Sequence, residues 1–117
     1  MGDKTISELA AALRRFAAER DWEQFHSPRN LAAALSVEAG EVLEHFQWLN
    51  DEQSRSISAD KRNQIALELA DVLLYLIRLA DCLDIDLIEA ARHKIVINAD
   101  KYPIDRVSGS SKKYTEL

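Results

Sequence analysis

The chain of 117 residues has the length of a single domain, and a domain of that size buries roughly two-thirds of the surface its unfolded chain exposes, so it needs no staple to fold. A net charge of -5 excludes a general nucleic-acid binder, which would carry a basic face, and a single cysteine, Cys82, excludes an intrachain disulfide and points to a reducing compartment. Asp3, Lys4 and Glu8 interrupt the apolar stretch that a signal peptide requires, and no run approaches the roughly 18 apolar residues of a membrane span, so a soluble, cytoplasmic protein is expected.

Glycine and proline are scarce, and apolar residues recur at three- and four-residue steps, which predicts helices throughout and no strands. Thr5-Ile6-Ser7-Glu8 has the spacing of a capping box and opens a first helix over about residues 5–20, with Ile6, Leu9, Leu13 and Phe16 as its apolar stripe. Residues 21–27 read as an aromatic-rich connector. Ser27-Pro28 then opens a second helix that runs to about Trp48, because proline at the first helical position loses no needed hydrogen bond.

A polar loop over residues 50–58 leads to a third helix over about 59–83, and Asp86-Leu87-Ile88-Glu89 repeats the capping-box pattern to open a fourth that stops near Pro103. Four helices joined by short loops predict an all-α fold, a four-helix bundle occupying residues 1–106, with a polar tail over 107–117. Residues 65–83 are apolar on nearly every face of the third helix, more than one protomer covers, so a homo-oligomer is expected and Cys82 reads as core filler.

Two pairs of acids stand out against this background. Glu38-Ala39-Gly40-Glu41 lies in the second helix and Glu68-Leu69-Ala70-Asp71 in the third. Acids three apart sit about 60° apart on one helical face, where like charges repel. Such a pair is ordinarily a solvated surface, but Glu68 and Asp71 are flanked by Ile65, Leu67, Leu69, Val72, Leu73 and Leu74, and charge in a greasy helix needs a partner. Lys61, Gln64, Glu68, Asp71, Tyr75 and Arg78 form a polar seam along it. Gly40, between its two acids, costs about 1 kcal/mol relative to alanine and predicts close approach by a backbone, metal or ligand. Four carboxylates on two helices, without cysteine or histidine at ligand spacing, make an oxygen-only set suited to Mg²⁺ or Mn²⁺ rather than zinc.

Lys94, Asn98, Lys101 and Tyr102 in the fourth helix offer charge and hydrogen bonds for phosphates. Trp22, Phe25, His26 and Trp48 flank the connector and second helix and offer rings on which a base can stack.

These residues resemble the MazG-like all-alpha nucleoside triphosphate pyrophosphohydrolases, and within them the dCTP pyrophosphatases. The likeness lies in Phe16 through His26, in Pro28-Arg29-Asn30-Leu31, in Phe46-Gln47-Trp48, and in the tail Lys113-Tyr114-Thr115-Glu116-Leu117. The family's paired signature, Glu-x-x-Glu followed by Glu-x-x-Asp on the next helix, is matched by Glu38, Glu41, Glu68 and Asp71, with Lys94-x-x-x-Asn98 and Lys101-Tyr102-Pro103 downstream. The resemblance implies Mg²⁺ dependence, hydrolysis to a monophosphate and pyrophosphate, a homotetramer, and a preference for dCTP or its 5-substituted analogues. It also implies that Trp22, His26, Trp48 and Tyr75 contribute to the nucleotide pocket. Two departures stand out: the 50–58 loop is shorter than in vertebrate members, and His45 stands where they carry an apolar residue.

Metal held by the acids would then let a carboxylate orient or deprotonate a water that attacks the α-phosphorus, while Lys94 and Lys101 balance the departing pyrophosphate. Rival readings are a pyrophosphohydrolase for dUTP, another nucleotide or phosphoribosyl-ATP, a ferritin-like di-iron protein, and a non-catalytic helical oligomer. The di-iron class needs two Glu-x-x-His motifs on helices, and the one here, Glu23-Gln24-Phe25-His26, falls in the connector.

Overall fold

The computed structural model describes residues 5–113 and 115, so Asp3, Lys4 and, from the C-terminal motif, Tyr114, Glu116 and Leu117 lie outside the described residues. Among those described, every regular element is helical. Four helices are long, α1 (Ile6–Glu19), α2 (Pro28–Glu44), α4 (Ala59–Cys82) and α5 (Leu87–Lys101); two are single turns, α3 (Asp51–Ser54) and α6 (Ile104–Val107).

The starts of these helices follow the capping chemistry in the sequence. The Thr5 hydroxyl accepts from the Glu8 N–H at 3.1 Å, Ser27 from Asn30 at 3.1 Å with Pro28 just inside, Ser58 from Lys61 at 3.2 Å, and Asp86 from Glu89 at 3.0 Å. Each cap satisfies a donor that the first helical turn leaves open.

Two helix ends are closed by aspartates in the left-handed region, Asp21 at φ 53° and Asp84 at φ 54°. After α1 the Trp22 N–H reaches back to the Ala17 carbonyl at 2.9 Å and Asp21 to Ala18 at 3.2 Å; after α4, Ile85 reaches Ala80 at 2.9 Å and Asp84 reaches Asp81 at 3.2 Å. Both are Schellman turns, with aspartate in the place glycine usually fills.

Three boundaries differ from the sequence expectation. Helix α2 ends at Glu44 rather than near Trp48: the Phe46 and Gln47 N–H groups both turn to the Leu43 carbonyl, at 2.9 and 3.0 Å, so the continuing pattern curls into tight turns. The polar loop contains α3, opened by a complete capping box in which Asn50 and Gln53 satisfy each other's backbone N–H groups at 2.8 and 3.0 Å. The stretch after Pro103 contains α6 before the chain becomes irregular.

The chain divides into two compact units, Met1–Ile85 and Asp86–Leu117. In the first, α4 is the central element: α2 makes the larger interface with it and α1 the smaller. Leu31 and Ile77 are fully buried, with Ala10, Ala17, Ile65 and Ala80 completing the core. Arg14 of α1 and Asp81 of α4 add an ion pair at 2.8 Å. The greasy surface of α4 is not fully used: Leu67 is 72% exposed, and Leu69 and Leu73 are also exposed. Cys82, expected as filler, is exposed in the last turn of α4, its Sγ 3.8 Å from the His26 carbonyl oxygen. In the second unit, α5 carries Lys94 and Asn98 as exposed residues and ends at Lys101, with Tyr102 as its C-cap.

Candidate active site

The 21–27 connector is held at both ends before it forms anything functional. The Schellman turn at Asp21 swings Trp22 back toward α1, where its ring meets Phe16 edge-on with centroids 5.7 Å apart. A short 3₁₀ turn, Glu23–Phe25, follows, and Asn30 of α2 donates through Nδ2 to the Phe25 carbonyl at 3.0 Å. His26 lies edge-on to Trp22 at 6.5 Å, and its Nδ1 accepts from the Nε–H of Arg78 on α4 at 3.2 Å.

Together these side chains wall a cleft of about 270 Å³, lined on the connector side by Trp22 and His26, on α1 by Leu13 and Phe16, and on α4 by Asp71, Leu74, Tyr75 and Arg78. Three of the four residues expected to hold the base, Trp22, His26 and Tyr75, are thus brought together. The polar seam of α4 turns inward here, through Asp71, Tyr75 and the buried Arg78. Burial and the Arg78 charge push His26 below its ordinary pKa, which keeps the imidazole neutral near pH 7 despite the opposing pull of Glu23.

Trp48 is not part of this cleft. It is 86% exposed and lines a separate groove with Glu44, His45, Leu49, Gln53, Ile57 and Lys61.

The acids occupy the α2/α4 interface. Glu38 holds one carboxylate oxygen, Oε2, buried without a hydrogen-bond partner among the described residues. Its carboxyl is pushed above the ordinary carboxylate range, first by a shared hydrogen bond with Glu41, then by burial, then by the negative charges of Glu41, Asp71 and Glu68. Glu68 is engaged by a residue the acid motifs do not include: its Oε2 lies 2.5 Å from His45 Nε2, while His45 Nδ1 is buried without a partner among the described residues.

The four acids therefore share one electrostatic neighbourhood but not a closed ligand shell. Among the described residues, no three His, Cys, Asp or Glu side chains converge closely enough to surround an ion. The donor set fits a hard divalent cation in its chemistry, and the orphaned oxygen of Glu38 is the atom such an ion would satisfy. Gly40 is not filled by a neighbouring backbone of the chain, since a Cβ there would meet nothing within 4 Å among the described residues.

The MazG-like family model matches residues 33–117. dCTP pyrophosphatase 1 of Homo sapiens is 45% identical over 117 residues, covering 98% of this chain and 69% of that protein, and its Bos taurus counterpart is 44% identical over the same shares. The chain belongs to the MazG-like family. A crystal structure of a pyrophosphatase from Archaeoglobus fulgidus DSM 4304 superposes with a TM-score of 0.80 at 36% identity, over 88% of this chain and 96% of that one.

Two residues of this MazG-like site escaped the motif reading. His45 follows Glu41 by four residues and Glu38 by seven, so helical spacing alone places it on the acid face. Arg78 was visible as the last member of the α4 seam, but its partner His26 lies 52 residues away, and no local pattern reports a pairing of that range.

Proposed function

We propose that this chain is a divalent-metal-dependent nucleoside triphosphate pyrophosphohydrolase that converts dCTP, or a 5-substituted dCTP, to dCMP and pyrophosphate. The observation that carries the reading is the double membership of Asp71. It lines the aromatic cleft with Trp22, His26 and Tyr75, and its charge also bears on Glu38 across the α2/α4 interface. A base seated in the cleft would leave its phosphates beside the acids.

Glu38, Glu41, Glu68 and Asp71 would hold the cation, Mg²⁺ or Mn²⁺. When bound, such an ion supplies charge for the phosphate oxygens and lowers the pKa of water at the site. One of these carboxylates would take the proton from the attacking water. Water oxygen bonds to the α-phosphorus as the bridge to the β-phosphate breaks, releasing pyrophosphate. Lys94 and Lys101 are our candidates for balancing the charge of that leaving group, Asn98 and Tyr102 for hydrogen bonds to its oxygens, and Trp48 for a further stacking contact.

A homotetramer is part of the proposal, supported by the exposed Trp48 and by Leu67, Leu69 and Leu73 on α4. The protein is expected to sediment well above its 13.3 kDa monomer mass even at micromolar concentration. A stable monomer there would remove this part. No helix among the described residues is long and apolar enough to cross a membrane, and we place the enzyme in the cytoplasm with its nucleotide substrates.

Hydrolysis in ¹⁸O-labelled water tests the reaction itself. Attack at the α-phosphorus puts the label in dCMP with unlabelled pyrophosphate, and this is the expected result, dependent on Mg²⁺ and lost in Glu41→Gln. Release of orthophosphate with dCDP would refute pyrophosphohydrolase chemistry. A panel including dUTP and phosphoribosyl-ATP separates substrates within the same chemistry.

A further inference from the structure

Arg78 is 9% exposed, and a guanidinium so buried requires partners. Its Nη1 lies 3.6 Å from Asp81 Oδ2, and that oxygen is already fixed by Arg14 Nε at 2.8 Å. The remaining partner is unusual. Arg78 Nε–H donates to His26 Nδ1 at 3.2 Å, and both residues line the cleft. Arginine has donors only and keeps its proton throughout the physiological range, so the nitrogen facing it must be the unprotonated one. A neutral imidazole then carries its hydrogen on Nε2.

We infer that Arg78 is a positioning residue that locks His26 as a hydrogen-bond donor, Nε2–H, toward the cleft, and thereby favours a base that offers ring acceptors there, cytosine over uracil. The inference rests on the nucleotide-hydrolase reading above and adds the residue that sets its base preference. Cytosine presents N3 and O2 as adjacent acceptors, whereas uracil carries a hydrogen on N3. A donor locked opposite N3 bonds to cytosine and collides with the N3–H of uracil, whose O2 alone would not tell the two apart; an imidazole free to exchange tautomers could serve either. Burial and the Arg78 charge also keep His26 from gaining a second proton, which would make both ring nitrogens donors and erase the lock.

Two substitutions separate the lock from mere packing. In Arg78→Gln the amide nitrogen occupies nearly the place of arginine Nε and can still donate to Nδ1, without the charge. In Arg78→Met the volume is kept and the donor is lost. The tautomer is read by long-range ¹H–¹⁵N correlation on histidine-labelled full-length protein, and selectivity as the ratio of kcat/KM for dCTP to that for dUTP. Wild type and Arg78→Gln should show His26 protonated on Nε2 and a preference for dCTP. Arg78→Met should show mixed tautomers and a selectivity ratio lower by about tenfold, with the change carried by KM.

A wild-type His26 protonated on Nδ1, or a folded Arg78→Met variant with unchanged tautomer and ratio, would overturn the inference alone. So would a folded Arg78→Gln variant that loses the ratio, since charge rather than the donor would then be responsible. A wild-type protein that hydrolyses no nucleoside triphosphate would overturn the underlying enzyme reading and this inference with it. If Arg78→Met does not fold, the wild-type tautomer and the Arg78→Gln ratio still decide.

Discussion

The aromatic cleft and the acid cluster meet at Asp71 but are built on opposite principles. In the cleft the connector is braced by the fold: Trp22 is folded onto Phe16 by a Schellman turn, His26 accepts from Arg78, and Arg78 and Arg14 share Asp81. In the acid cluster, Glu38 keeps a buried oxygen unpartnered and is crowded by three like charges. The first region is held in place by the protein itself, whereas the second stores repulsion that a cation or a proton relieves. A recognition surface can be completed in the fold, but a metal site has to keep its affinity in reserve.

The sharpest way to break this contrast is to neutralise the acids. Asp71→Asn and Glu38→Gln should each reduce Mg²⁺-dependent hydrolysis by on the order of a thousandfold, because ligand charge is what the ion requires. Helicity should persist, and Glu38→Gln should melt no lower than wild type without metal, since it removes repulsion rather than an attraction. Calorimetric titration with Mg²⁺ and circular dichroism measure the two halves. Unfolding of both variants would identify the acids as structural ion pairs.

A smaller effect is expected in the cleft. Trp22→Ala should weaken dCTP binding by about 1–3 kcal/mol, the usual contribution of a ring on which a base stacks, and leave Mg²⁺ affinity unchanged. Equal losses of nucleotide and metal binding would show that the two regions are not separable.

The smallest effect is one of pH, and it has opposite signs in the two regions. The folded pKa of His26 lies below its ordinary 6.5, so between the two values the unfolded chain binds more protons and stability rises with pH. Its contribution is complete above 6.5 and is lost as pH falls through the window beneath. The folded pKa of Glu38 lies above its ordinary 4.5, so the folded chain binds more protons there and metal-free stability declines as pH rises from 4.5. Thermal melts from pH 4 to 8 in chelator should show His26→Phe flattening the acid-side loss and Glu38→Gln flattening the decline above 4.5. Melts that keep both slopes in the variants would assign the titrations to other groups.

Much of this was legible before any coordinates. Cap residues at Thr5, Ser27, Ser58 and Asp86 mark helix starts because their short side chains have one efficient use there. Acids at spacing three stood out on α4 because its other residues are apolar. The end of α2 was not legible: no glycine or proline marks it, and the pattern continues through Phe46 and Trp48 while the backbone tightens onto Leu43. Trp48 was assigned to the pocket by resemblance, yet in its own chain it lies in another groove, a matter of three-dimensional direction that spacing does not encode. Spacing puts His45 on the acid face but does not report its bond to Glu68, 23 residues away, and Arg78 acquires its meaning only from a partner 52 residues away.

The connector between α1 and α2 has a further consequence. Asp21 closes one helix, Ser27 opens the next, Gln24 bonds back to Asp21 at 3.0 Å, and Asn30 clamps Phe25, so the segment is finished at both edges and is tied to α4 through His26. Such a cassette can change in sequence while the helix ends beside it and the acids of α2 and α4 stay as they are. Within this scaffold, the connector's share of the base pocket is open to deliberate exchange in the laboratory, provided that a partner for Arg78 of α4 is kept.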